Sequence, residues 1–121
     1  MTAKTSILIV DDDPMIRMQI AEYFKTEFNV IEIEDGTQIL GTIAEHPIEI
    51  IILDIFMHTQ EGMQSLTTLS QLYPDLPVIM ISSDKTYLDM TTILGAKDTM
   101  QKPLNLPRLK TMIQNHLAVA A

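Results

Sequence analysis

Ile7-Leu8-Ile9-Val10-Asp11-Asp12-Asp13-Pro14 is the stretch whose reading decides the fold. Four apolar residues, mostly β-branched, read as a strand, and the run stops abruptly at three carboxylates. Pro14 suits the first turn of a helix, where its missing N–H costs nothing, and Asp13 before it is a good N-cap. Ile16, Ile20 and Phe24 then recur at helical spacing. The passage from buried strand through an acidic turn into a helix sets the pattern for the rest of the chain.

Val30-Ile31-Glu32-Ile33-Glu34 is a second strand, partly alternating with charge. Asp35-Gly36-Thr37-Gln38 has capping-box spacing and opens a helix through Ile39, Leu40 and Ile43, which His46-Pro47 ends. Ile48 to Leu53 is a nearly unbroken apolar run that stops at Asp54. A helix carrying Leu66, Leu69 and Tyr73 follows, closed by Pro74 and Pro77. Val78-Ile79-Met80-Ile81 is the fourth strand, ending at Ser82-Ser83-Asp84. Tyr87 to Leu94 is a short helix with Gly95 at its end, and Asp98 to Gln101 is a weak polar strand before Lys102-Pro103. Asn105 caps a last helix with Leu109, Met112, Ile113 and Leu117 facing inward.

Five strands alternating with five helices predict an α/β fold with a parallel sheet. Strands that are apolar throughout are buried on both faces, and interrupted ones tend to be edges. Strands one, three and four are therefore central, with two and five at the edges, which is the doubly wound order 2-1-3-4-5. The 121 residues are read as a single domain, 1–121, without repeats or linker.

Composition narrows the function. Eight basic residues against 16 acidic ones give a net charge of −8, which repels phosphate backbones and anionic lipid. No direct nucleic-acid or membrane partner is expected. The chain has no cysteine, so disulfides, thiolate zinc sites and cysteine nucleophiles are excluded. No apolar run approaches the ~20 residues that span a bilayer. The start, Met1-Thr2-Ala3-Lys4, lacks a signal peptide's layout, so a cytoplasmic location is expected.

In doubly wound sheets, sites form beyond the carboxyl ends of the strands. Strand one ends in Asp11 and Asp12, strand three in Asp54, strand four in Ser82 and strand five in Lys102. Three carboxylates on one rim repel one another, and an all-oxygen donor set suits a hard cation such as Mg2+. Lys102 supplies a second positive charge as a compact ammonium. An Asp carboxylate beside a cation, a lysine and a hydroxyl is what nucleophilic capture of a phosphoryl group requires. Asp54 is the best nucleophile because it stands alone on the central strand, between the acidic pair and Lys102.

Taken together, Val10-Asp11-Asp12-Asp13, the run Ile50 to Asp54, Ile81-Ser82 and Lys102-Pro103 resemble the receiver domain of bacterial two-component response regulators. The resemblance covers about Ser6 to Leu117 and implies the flavodoxin-like form of the fold. It further implies that Asp54 is the phosphoacceptor, Asp12 a direct Mg2+ ligand, Asp11 a ligand through water, and the backbone carbonyl of Phe56 the remaining protein ligand. Ser82 becomes the switch hydroxyl and Lys102 the phosphate-contacting lysine. The implied donor is a phosphohistidine of a sensor histidine kinase or histidine phosphotransfer protein. Output then runs through a downstream protein target or, in a longer regulator, an effector domain. Such a chain is a phosphoacceptor switch, not an enzyme with an external substrate, and catalyses only its own phosphorylation and dephosphorylation.

Two departures from the family's pattern stand out. Met57-His58-Thr59-Gln60-Glu61-Gly62 replaces the usual Met-Pro-x-x-Asp-Gly after the acceptor, and Thr99 stands where the family carries an aromatic three residues before the lysine. Phe56 and Asp84 occupy positions that tune phosphoryl lifetime in the family.

Blander readings account for other residues. Asp13 reads as a helix cap and not as a ligand. His58 reads as a surface residue, His46 meets a helix C-terminus, and His116 has no partner in the pattern. Most methionines, such as Met80 and Met112, read as core. Met15 and Met18 differ, because the Ile16, Ile20, Phe24 stripe turns them outward. With Leu104 they form an expected docking spot for a helical phosphotransfer partner.

Three rival functions differ in the residues they need. A haloacid-dehalogenase-type phosphatase would use Asp11 and Asp13, but it wants Thr or Val where Met15 stands and a late acidic pair, and no Asp or Glu follows Lys102. Flavin binding fails because Asp11-Asp12-Asp13 would repel the cofactor's phosphate. A phosphorylation-independent pseudo-receiver is the remaining alternative, kept alive by Thr99 and His58.

Overall fold

Alternation along each strand sends neighbouring side chains to opposite faces of the sheet, and both faces are covered. The computed structural model describes residues 4–57 and 61–120. The elements are β1 (Ser6–Val10), α1 (Pro14–Phe24), β2 (Asn29–Ile33), a 3-10 turn (Gly36–Gln38), α2 (Ile39–Glu45), β3 (Ile48–Asp54), α3 (Glu61–Leu72), β4 (Val78–Ser82), α4 (Lys85–Ile93), β5 (Asp98–Gln101) and α5 (Leu106–Ala120). All strand pairings are parallel and the order is β2-β1-β3-β4-β5, as the apolar pattern predicts. The Met1-Thr2-Ala3 start and the residues His58, Thr59 and Gln60 lie outside the described residues.

On one face, Ile7, Ile9, Ile50, Ile52, Ile79 and Ile81 pack against Ile20 and Phe24 of α1 and Leu109, Met112 and Ile113 of α5. On the other, Leu8, Val10, Ile51, Leu53, Val78 and Met80 pack against Ile39 of α2, Leu66 and Leu69 of α3, and Leu88 of α4. Each fully buried aliphatic side chain contributes about 1.5–3 kcal/mol. The central strands are therefore fixed tightly, and the residues that follow them inherit that precision. Among the described residues no helix is long and apolar enough to cross a membrane.

Several boundaries move from the predicted ones for identifiable reasons. The Asp35 carboxylate accepts the Thr37 amide at 2.8 Å and also its hydroxyl, which tightens the start of the second helix into a separate 3-10 turn. Asp84 accepts the amides of Thr86 and Tyr87, so α4 begins two residues earlier than its apolar pattern suggests. Gly95 ends that helix region at φ 115°, a conformation that favours glycine. His116 does have a partner: its Nε2 lies 3.2 Å from Oδ2 of Asp98, at the start of β5.

Candidate functional site

The rim at the carboxyl ends of β1, β3 and β5 gathers the predicted charges. Asp54 continues the series Ile50, Ile52 along β3 and is 4% exposed, and Asp11 is fully buried just beyond β1. Carboxylate oxygens of Asp11, Asp12 and Asp54 all lie within 4.8 Å of one another. Lys102, just after β5, reaches both buried acids, with Nζ 3.0 Å from Asp11 Oδ2 and 3.4 Å from Asp54 Oδ1. Its backbone N–H donates to the carbonyl of Ser82 at 2.8 Å, which ties the end of β4 to the same rim.

The electrostatics follow from this crowding. Burial, then the neighbouring Asp11 charge, lifts the Asp54 carboxyl from its ordinary 3.8 to about 6, although Lys102 pulls the other way. Burial pulls the Lys102 ammonium down, but its hydrogen bond to Asp11 and the charges of Asp54 and Asp11 outweigh that and hold it above its ordinary value. The pocket thus carries more negative charge than its one lysine neutralises. An all-oxygen set of three carboxylates fits a hard divalent cation.

Local structure explains why these side chains are so placed. Asp13 caps α1 by accepting the Met15 amide at 2.9 Å, and its own amide donates to Asp11 Oδ1 at 2.9 Å. Asp13 is therefore the cap that the sequence suggests, and it also orients Asp11. The Ser82 hydroxyl is buried and accepts the Asp84 amide at 3.1 Å. Phe56, two residues past Asp54, is 38% exposed, and its ring meets Tyr87 of α4 edge-on at 4.9 Å. Thr99 is partly buried in β5, where a hydroxyl replaces the ring expected from the resemblance.

The outlying predicted residues divide. Met15 and Met18 are 57% and 50% exposed on α1, directly after the acidic turn. Leu104 is half-buried and packs against the core cluster shared by α1 and α5. Sequence reasoning missed Arg17, whose Nη1 donates to the backbone carbonyl of Asp11 at 2.6 Å. Its position one residue after Ile16 of the buried stripe was the available signal, since a long side chain there can fold back over the turn.

The chain resembles known proteins along nearly its whole length. The sequence model of the family described as "Response regulator receiver domain" matches residues 7–114. Response regulator RR06 of Streptococcus pneumoniae serotype 2 (strain D39 / NCTC 7466) is 32% identical over 121 residues, covering 94% of this chain and 55% of that protein. Response regulator GtcR of Aneurinibacillus migulanus is 35% identical over 115 residues, covering 93% of this chain and 47% of that protein. The crystal structure of the receiver domain of NtrX from Brucella abortus superposes with a TM-score of 0.84 at 28% identity, covering 93% of this chain and 98% of that one. The chain spans about half the length of these two curated relatives and nearly all of the solved receiver domain.

Proposed function

Because the chain belongs to the response regulator receiver domain family, whose standard function is phosphorylation-based signalling in two-component systems, we propose that Asp54 is its phosphoacceptor. The observation that carries this reading is the Lys102 ammonium joined to both Asp11 and Asp54 inside a pocket of three carboxylates. A carboxylate oxygen of Asp54 attacks the phosphorus of a phosphohistidine. The P–O bond forms as the P–N bond breaks, and the imidazole keeps the electron pair. Lys102, held close to Asp54, neutralises one oxygen of the transferring group, and the Ser82 hydroxyl donates to another. Water later cleaves the acyl phosphate to inorganic phosphate and the free carboxylate.

Receiver domains bind Mg2+ at their acidic pocket. Here Asp11, through water, with Asp12, Asp54 and the backbone carbonyl of Phe56 would hold the ion. When bound, the cation supplies positive charge against the oxygens of the transferring phosphoryl group. Drawing the Ser82 hydroxyl towards the phosphoryl group pulls on its contact with Asp84, and so on the cap of α4.

Intact mass after incubation with Mg2+ and a small-molecule phosphodonor tests the reading. One added phosphoryl group is expected, absent without Mg2+ and absent in Asp54→Asn. No adduct in a rapid quench, together with no affinity for Mg2+ and beryllofluoride, would leave a phosphorylation-independent interaction module on the same fold.

The phosphodonor is a sensor histidine kinase or a histidine phosphotransfer protein, docked on Met15 and Met18 with the exposed part of Leu104. An apolar spot next to a buried nucleophile suits a partner helix that must bring its phosphohistidine to Asp54. Met15→Asp should slow transfer from that partner about tenfold, the roughly 1.4 kcal/mol expected of one modest interface contact. Phosphorylation by the small-molecule donor should continue. Equal transfer rates for wild type and variant would remove Met15 from the interface.

A further inference from the structure

We propose that Arg17 is a positioning residue for the cation site, holding the Asp11–Asp12 turn in its ligating shape from behind. The inference rests on the functional reading above and concerns a residue which that reading does not use.

Asp11 is gripped at both ends. Its carboxylate meets Lys102 and the Asp13 amide, whereas its backbone carbonyl accepts a 2.6 Å hydrogen bond from Arg17 Nη1. That carbonyl belongs to the peptide joining Asp11 to Asp12, so the bond fixes the peptide plane from which both carboxylates diverge. The Arg17 side chain is only 18% exposed. It is anchored in turn by Glu32 on the edge strand β2, with Nε 3.7 Å from Glu32 Oε1. The Asp11 N–H donates to the Ile33 carbonyl at 3.3 Å, so β2 supports the same turn through the residue next to Glu32. A charged donor on a neutral carbonyl is among the stronger protein hydrogen bonds, and the guanidinium fork can serve the carbonyl and Glu32 together.

Two effects of removing Arg17 oppose each other. Loss of a positive charge near three carboxylates should tighten cation binding. Loss of the grip on the turn should weaken it, because ligands that must be ordered at the moment of binding bind less well. Glu32 already offsets much of the Arg17 charge, so the loss of positioning wins. Outer groups that orient metal ligands typically account for 10–100-fold in affinity.

Calorimetric titration of the whole chain with Mg2+, alongside thermal melting, tests the proposal. Arg17→Ala is expected to weaken Mg2+ affinity about tenfold. Arg17→Lys, which keeps the charge and one donor but loses the fork, should fall between the variant and wild type. A merely structural role would lower the melting temperature and the fraction of competent protein without moving the dissociation constant. Unchanged or tighter Mg2+ binding by Arg17→Ala overturns the proposal. Should that variant not fold, unchanged affinity in Arg17→Lys overturns it equally. A wild-type chain that binds no Mg2+ would instead overturn the functional reading on which the proposal stands.

Discussion

Gly62→Ala is expected to destabilise the chain by about 3 kcal/mol or more, even though alanine is the better helix former. A Cβ at position 62 would stand 2.2 Å from the Asp54 carbonyl oxygen and 2.7 Å from both Cα and O of Ile55. These are backbone atoms at the end of the central strand, with no flexible side chain that could swing aside. Replacing glycine by alanine in a helix gains only about 0.5–1 kcal/mol, so the clash decides the sign. The strand end can yield only by moving Asp54, and the predicted phosphoacceptor would lose its geometry with the fold. Gly41 is the control: a Cβ there meets nothing within 4 Å, so Gly41→Ala should be neutral or stabilise by about 0.5–1 kcal/mol. Urea unfolding of the two variants beside wild type would show the opposite signs. Equal stability of Gly62→Ala and wild type would refute the close approach of α3 to β3.

How much of this was legible in the sequence depends on the range of the interactions involved. Strand order could be read because burial on two faces leaves a compositional trace: Ile50 to Leu53 is unbroken, whereas Glu32 interrupts the second strand. Asp11, Asp54 and Ser82 could be read because each is the first polar residue after an apolar run, with Asp12 next to the first and Lys102 just past the weak polar fifth strand, and the rigid sheet then sets where they land. Asp84 and Asp35 show the limit at element starts. A side chain capping locally can lengthen a helix or tighten its first turn without changing the apolar pattern. Arg17 and His116 show a different limit. Their partners, the Asp11 carbonyl and Asp98, are met only after the chain has folded, and a long polar side chain on a helix has many candidates in sequence. Leu104 packs partly against the core cluster of α1 and α5, a contact that, like theirs, is made only in the folded chain.

Asp54→Asn should raise the stability of the metal-free chain at pH 7 by up to about 3 kcal/mol, and the gain should vanish near pH 4. The sign follows from the shift. The folded Asp54 carboxyl titrates at about 6 against an ordinary 3.8, so the folded chain holds this proton more tightly than the unfolded one. Stability from the protonated group is complete below about pH 4 and is lost as the pH rises through 6. Above that, an ionised carboxylate remains buried beside Asp11, with Lys102 shared between the two. Asparagine has nearly the same shape and carries no charge to bury, so it escapes the penalty at neutral pH. For a domain of this size the difference corresponds to several degrees in Tm, measured in EDTA between pH 4 and 8. Added Mg2+ should narrow the gap by stabilising wild type, because a ligand that binds only the folded state raises its stability with concentration. The same charge imbalance that weakens the resting fold would thus be what makes Asp54 available to a cation and a phosphoryl group. A variant no more stable than wild type at pH 7, or an advantage that persists unchanged at pH 4, would show that the Asp54 carboxylate is not held at a cost in the resting state.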